Sequence, residues 1–279
     1  MEFEAEFEKA KVFFKDKQFI ISDDRLKAIL AAKRESIPVL AVGPTGSGKT
    51  EFWQLYAEFM KGAYEYQSLN GSITIHDLTQ ERVIAKDGTF EERDMILARW
   101  LRKAIRKVSI LQLDEVNAAK PETLLALHPI MDIKGELYLP YSSEILKVKK
   151  ENAVLVMSSN EGDEYVGINA MNMAFQNRYI TVNFPYLVGA ELVSLLTLKT
   201  GVETELVEKV VNTWQKYMTS REPDQPIVSI RILLYWLQMS RYLGIKKAGQ
   251  FTFAGLVAQG NEDELKKIIE GDFFINLSD

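Results

Sequence analysis

The sequence contains no cysteine, so disulfides, thiolate catalysis and cysteine-ligated zinc or iron–sulfur sites are excluded. Its two histidines, His76 and His128, argue against a multi-histidine metal site. No run of about 18 apolar residues occurs, as a membrane-spanning helix requires, and the first residues lack the basic start and apolar core of a secretory signal. We therefore expect a soluble, cytoplasmic protein.

The composition is that of an ordinary globular protein, with 47% hydrophobic and 26% charged residues. A chain of 279 residues is long enough for one large or two small domains. The net charge of −5 lacks the overall basic excess of dedicated nucleic-acid-binding proteins. Residues 101–108 and 147–150 are locally basic, which fits either solvated faces or contact with an acidic partner or nucleic acid.

Apolar runs alternate with helical patterns over the first two thirds of the chain. Five of these runs read as strands: 37–43, 63–70, 108–115, 153–160 and 179–185. Helices are predicted over 23–34, before the first strand, and over 50–60, between the first two strands. This alternation predicts an α/β core with a five-stranded parallel sheet between helical layers.

The pattern changes after residue 186. Helices are predicted over 188–200, 204–219, 229–243 and 262–270, and no further strong strand pattern occurs. We expect an α/β domain over residues 1–186 and a small all-helical domain over 187–279.

The segment "GPTGSGKT" matches the phosphate-loop pattern G-x-x-x-x-G-K-[ST] and lies between a buried strand and a helix. Its glycines let backbone N–H groups turn inward toward phosphates, and the helix N-terminus adds its dipole. In this pattern Lys49 reaches the β and γ phosphates, and Thr50 places its hydroxyl on Mg²⁺. The predicted nucleotide-binding residues are Gly43, Pro44, Thr45, Gly46, Ser47, Gly48, Lys49 and Thr50.

Polar side chains end the next two central strands. "SILQLDE" ends in Asp114, which is placed to hold Mg²⁺, and Glu115, which is placed to polarise a water molecule. "AVLVMSSN" ends in Asn160, which the strand direction brings to the same edge of the sheet. The alternative is that these residues are solvated carboxylates and a turn-forming asparagine.

From about residue 23 to about residue 272 the chain resembles an AAA+ ATPase. It looks most like the branch of MoxR-like, CbbQ/NorQ-like and gas-vesicle GvpN-like proteins, the restriction GTPase McrB and the dynein-related midasin modules. The motifs that carry the resemblance are "PVLAVGPTGSGKT", "HDLTQE", "LQLDEVNAAKPETLLALHPIMDIKGELYLP", "VLVMSSNEGDEYVG" with its Tyr165-x-Gly167 turn, "AFQNRY" and "SIRILL".

The resemblance implies a role for each matching residue. Asp114 and Glu115 match the Mg²⁺-binding and water-activating acids, and Asn160 matches the first sensor. Arg178 matches the arginine finger. Arg231, in "SIR" at a helix start, matches the second sensor on the helical lid.

Arg178 stands without an acidic residue within three positions on either side. It precedes the last strand of the predicted sheet, which places it at the edge of the subunit and away from its own phosphate loop. We expect it to act on the nucleotide of a neighbouring subunit. The alternative is a solvated arginine at a strand entrance.

The resemblance also implies two insertions in the α/β domain. Residues 73–96 match the insertion in the second helix of this branch, and 135–150 match a β-hairpin placed before the first sensor; both commonly face the pore or the substrate. The first insertion departs from the pattern, because Thr79 and Gln80 stand where a glycine usually follows "DL".

The implied protein is a ring, expected to be a homo-hexamer, that couples Mg²⁺–ATP hydrolysis to remodelling of a partner protein. Relatives often act with a separate von Willebrand factor A-type protein, so a partner of that kind is expected. Two alternatives stay open: a nucleic-acid-associated or GTP-using motor like the restriction relative, and an assembly module with little turnover, which Glu115 argues against. A small-molecule kinase has no use for a lid carrying Arg231.

Overall fold

A computed structural model describes residues 2–132, 134–160, 173–222, 225–258 and 268. The chain divides into two compact units, one formed by Met1–Pro44 with Gly48–Phe184 and the other by Thr45–Ser47 with Pro185–Asp279. The Tyr165-x-Gly167 turn and, apart from residue 268, the helix predicted over 262–270 lie outside the described residues.

The first unit is built on a parallel sheet. The strands among the described residues, numbered along the chain, are β1 Val39–Val42, β2 Ala63–Ser68, β3 Gln80–Ile84, β4 Phe90–Asp94, β5 Ser109–Asp114, β6 Glu136–Leu139, β7 Glu144–Lys147, β8 Ala153–Ser159 and β9 Ile180–Asn183. Five of them form one sheet in the order β2-β5-β8-β1-β9, with parallel pairing throughout. They are the five strands predicted from apolar runs, so the α/β fold class is confirmed.

Helices cover both faces of this sheet. Those described in the first unit are Glu2–Asp16, Asp23–Arg34, Lys49–Phe59, Ile75–Thr79, Ile96–Ala104, Pro121–Leu125, His128–Met131 and Met173–Gln176. Successive strand residues face opposite sides. Leu111 belongs to one core with Trp100, and the preceding Ile110 belongs to a second core with Phe52. The sheet is therefore the middle layer of three.

The two insertions form antiparallel hairpins, β3–β4 and β6–β7. Gln80, one of the two residues that stand where a glycine is usual, is buried and connects the two hairpins. Its Oε1 accepts hydrogen bonds from the backbone N–H groups of Tyr141 and Ser142 at 3.2 and 3.3 Å. Arg102 also bridges them, because it pairs with Asp94 at the end of β4 and with Glu144 at the start of β7.

The second unit is helical where it is described. Its elements are Gly189–Thr200, Thr204–Ser220, Ile230–Leu243, Ile245–Gly249, the π-helix Gln250–Ala254 and Gly255–Val257. Trp214, Leu233, Trp236 and Phe253 are buried in its core. Among the described residues, no helix has the length and apolar character needed to cross a membrane.

Candidate functional site

The phosphate loop passes through places where only glycine fits. A Cβ on Gly43 would lie 2.1 Å from the carbonyl oxygen of Phe184, the residue after β9. Gly48 has φ +89°, and a Cβ on it would lie 3.2 Å from the ring of Phe19. The loop is therefore held close to neighbouring backbone at its start and in a left-handed turn at its end, as a phosphate cradle requires.

Lys49 begins the helix after the loop, and its ammonium group is held inside the loop. The residue is only 6% exposed. Its Nζ donates to the carbonyl oxygens of Gly43 at 2.6 Å and Pro44 at 3.0 Å, and to Oδ1 of Asn160 at 3.1 Å. A buried ammonium needs such partners. The structure thus brings together two predicted site residues that are 111 positions apart in the sequence.

Asp114 is the last residue of β5, and both of its carboxylate oxygens accept hydrogen bonds. Oδ1 accepts from Ser158 Oγ at 2.5 Å and from the Glu115 N–H at 3.0 Å, and Oδ2 accepts from Tyr66 Oη at 2.9 Å. Since β8 pairs with β5 and with β1, the ends of these strands bring Asp114, Asn160 and the loop to one edge of the sheet.

Glu115 has a left-handed backbone, with φ +55° and ψ +42°. This conformation is uncommon for residues other than glycine and marks a position worth explaining. Its Oε2 accepts a hydrogen bond from Ser68 Oγ, at the end of β2, at 3.0 Å. The two acids are thus both bound by hydroxyl groups of β2.

A buried line of polar groups leads to Asp114 across the sheet. Tyr64 Oη donates to Gln112 Oε1 at 2.7 Å, and Gln112 Nε2 donates to Ser158 Oγ at 2.9 Å. Gln112 and Ser158 are fully buried. The sequence interpretation missed these residues, although a glutamine and a serine inside otherwise apolar strands were a visible signal.

The loop and its neighbours fit Mg²⁺–ATP. Thr50 and Asp114 offer a hydroxyl and a carboxylate, the oxygen ligands that Mg²⁺ accepts from a protein while phosphate and water supply the rest. No cluster of three or more metal-ligating acids or histidines occurs in the part of the chain that the structure describes. The Ser47 hydroxyl is buried with no hydrogen-bond partner among the described residues, which suits a loop that binds phosphate.

Arg178 has a partner that the local sequence does not contain. Its Nε donates to Asp132 Oδ1 at 2.7 Å, and its Nη1 donates to the Ala174 carbonyl oxygen. The Arg178 guanidinium holds the pKa of Asp132 below its usual value. Burial, and then the Arg178 charge, lower the pKa of His128, which stacks on Phe175 with ring centroids 5.4 Å apart.

Arg231 is exposed and is the second residue of the helix Ile230–Leu243. The tip of the phosphate loop belongs to the same compact unit. A Cβ on Gly46 would lie 3.5 Å from the Arg231 backbone nitrogen, and Tyr186 Oη donates to the Thr45 carbonyl oxygen at 2.8 Å. The start of this helix therefore lies beside the loop tip.

The sequence profile of the AAA domain, dynein-related subfamily, matches residues 38–179. The chain belongs to this family. The matched span includes the phosphate loop, Asp114, Glu115, Asn160 and Arg178. The resemblance to AAA+ proteins, inferred above from individual motifs, is thereby confirmed, and the chain is a P-loop NTPase by family.

Several curated proteins are similar to this AAA-domain chain over most of their length. The denitrification regulatory protein NirQ of Pseudomonas aeruginosa is 28% identical over 205 residues, which cover 73% of this chain and 76% of NirQ. An uncharacterised protein of Staphylococcus epidermidis is 27% identical over 230 residues, covering 81% and 86%. The uncharacterised protein YojN of Bacillus subtilis is 26% identical over 239 residues, covering 83% and 75%.

Proposed function

We propose that this AAA-domain protein is a Mg²⁺-dependent ATPase that works as a closed ring, a homo-hexamer, and remodels or activates a partner protein. The observation that carries the proposal is the meeting of Lys49, Asn160 and the acid pair at one edge of the sheet. Bound Mg²⁺ would neutralise charge on the phosphate oxygens. Lys49, Thr50 and Asp114 would hold the metal–nucleotide complex.

The chemical step falls to Glu115 and Asn160. Glu115 orients a water molecule and accepts its proton, and its carboxylate oxygen is already fixed from Ser68. Asn160 contacts Lys49. It would help to hold the attacking water in line with the γ-phosphate. Such a reaction depends mainly on positioning and electrostatic stabilisation.

The ring follows from the role of Arg178. Its hydrogen bonds go to Asp132 and Ala174, so it has a resting place outside the contacts of Lys49 and Asn160. A head-to-tail contact between subunits would bring it to the next subunit's nucleotide. Arg231 would contact the γ-phosphate as the second sensor.

The partner is proposed to be a protein. NirQ is named as a regulatory protein, and by analogy this chain acts on a regulated partner, of which a von Willebrand factor A-type protein is one candidate. The hairpin β3–β4 carries Ile84 and Phe90 opposite each other, 73% and 67% exposed. Such an exposed apolar pair suits contact with a protein segment.

The test is a turnover assay across protein concentration, with the assembly state measured in the same samples. We expect Mg²⁺-dependent ATP hydrolysis whose specific activity rises as rings form, with Glu115→Gln as the inactive control. Faster turnover of GTP, or stimulation by duplex DNA that falls with salt, would favour the restriction-type alternative. Nucleotide-driven assembly without turnover would favour the assembly module, and turnover by a monomer would contradict the ring.

A further inference from the structure

Strand β2 presents three hydroxyl groups to the neighbouring strand end. Tyr64, Tyr66 and Ser68 occupy alternate positions and so share one face of β2. Their hydroxyls donate in turn to Gln112 at 2.7 Å, to Asp114 at 2.9 Å and to Glu115 at 3.0 Å.

Tyr66, the middle one of these three residues, completes the hydrogen bonding of the Asp114 carboxylate. Oδ1 is already held by Ser158 and by the Glu115 N–H. Tyr66 is the group that holds Oδ2. With both oxygens engaged, the carboxylate plane cannot rotate freely about its bond to the chain. Groups that orient a metal-binding carboxylate in this way set its affinity for the metal.

Tyr66 is suited to this role because its hydroxyl donates to Asp114 Oδ2 at 2.9 Å. The residue is 44% exposed, so packing alone does not fix the ring. The hydrogen bond to Asp114 is what holds the hydroxyl in place.

We propose that Tyr66 is a positioning residue that orients Asp114 for Mg²⁺ and thereby sets the metal affinity of the nucleotide site. The proposal deepens the proposed function and rests on it.

The test compares Tyr66→Phe with Tyr64→Phe. Each variant keeps its ring and loses one hydroxyl on the same face of the same strand, and Tyr64 donates to Gln112 rather than to an acid. Mn²⁺ binding to the full chain with a non-hydrolysable ATP analogue is measured by electron paramagnetic resonance. We expect Mn²⁺ affinity to fall about 10–100-fold in Tyr66→Phe and less than roughly twofold in Tyr64→Phe, whose hydroxyl is connected to Asp114 only through Gln112 and Ser158.

In steady-state assays, Tyr66→Phe should raise the Mg²⁺ concentration for half-maximal rate and leave kcat at saturating Mg²⁺ nearly unchanged. Wild-type Mn²⁺ affinity in Tyr66→Phe would overturn the proposal. Equal losses in both variants, with matched falls in thermal midpoint, would also overturn it and assign the effect to strand stability. The Mn²⁺ measurement needs no hydrolysis. A wild type that binds Mn²⁺ but does not hydrolyse ATP would refute the ATPase, and a loss of Mn²⁺ affinity in Tyr66→Phe would still support the role of Tyr66.

Discussion

The acid pair and Arg178 lie in the same compact unit but are held in opposite ways. Asp114 and Glu115 are bound by side chains from neighbouring strands of the central sheet. Arg178 is held by Asp132, which follows the helix His128–Met131, and by a backbone carbonyl. The first arrangement is part of the framework of the fold, whereas the second can be exchanged for another partner.

The contact of Arg178 with Asp132 also differs in free energy from the contacts of Lys49 in the phosphate loop. The side chains of Arg178 and Asp132 are 25% and 47% exposed, so the pair is partly open to solvent, and ion pairs fully at the surface contribute about 0–1 kcal/mol. The ammonium of Lys49 is buried among carbonyl oxygens, and removing one member of a buried charged hydrogen bond costs roughly 2–5 kcal/mol. Arg178 can therefore leave Asp132 at little cost, as action on a neighbouring subunit requires.

The largest expected effect is that of Arg178→Ala. Because an arginine finger stabilises transition-state charge, kcat should fall about 10³–10⁵-fold while ATP binding is retained. The measurement is turnover at saturating ATP beside a binding titration. Mixing Arg178→Ala with Glu115→Gln should restore part of the activity, since some interfaces then pair an intact Arg178 with an intact Glu115. No recovery in rings shown to be mixed would place Arg178 in its own site.

Substitutions at the sheet edge should separate binding from hydrolysis. Lys49→Ala loses the buried ammonium, so ATP affinity should fall by roughly 2–5 kcal/mol, or about 30- to 4,000-fold. Glu115→Gln keeps the side-chain shape but loses the proton acceptor, so affinity should persist while kcat falls about 10²–10⁴-fold. Both are checked by isothermal titration and phosphate release. Equal losses of binding in the two variants would contradict the separate roles.

Arg231→Ala should have a smaller effect than Arg178→Ala. A charged hydrogen bond contributes roughly 1.5–3 kcal/mol, so ATP affinity should weaken about 10–150-fold relative to ADP affinity. The ratio of the two affinities is the readout, because only ATP carries the γ-phosphate. Arg241→Ala, near the end of the same helix, is the matched control. An unchanged ratio would remove Arg231 from the site.

Asp132→Asn should have the smallest effect. It removes the charge that pairs with Arg178, and an ion pair with solvent access contributes about 1 kcal/mol. We expect kcat in assembled rings to change less than roughly fivefold, with nucleotide affinity unchanged. A loss as large as that of Arg178→Ala would mean that the ion pair itself supports the active structure, and the contrast drawn above would fail.

The sheet and the loop were predictable because their signals are local. Apolar runs mark the strands, and the spacing of glycines with Lys49 marks the loop. The helix Glu2–Asp16 was not predicted, since its charged residues obscure a buried stripe of Phe7, Ala10 and Phe14. No helix was predicted over Ile245–Val257 either.

The contacts that orient the site were not predictable, because they depend on strand order. Tyr66 meets Asp114 only because β2 pairs with β5, and Arg178 meets Asp132 across 46 positions. An absence of nearby acids in the sequence therefore did not mean an absence of acids in space. Gln80 teaches the same point, since its role depends on the hairpin β6–β7.

The backbone of Glu115 has an evolutionary consequence. A left-handed conformation costs a side-chain-bearing residue about 1–2 kcal/mol, a sizeable part of a typical folding free energy of about 5–15 kcal/mol. Glycine, and to a lesser degree asparagine, would relax this position. Selection for thermal stability alone would thus favour glycine here, so the glutamate points to a role other than stability. A lineage that came to bind nucleotide without hydrolysing it is expected to lose this residue early.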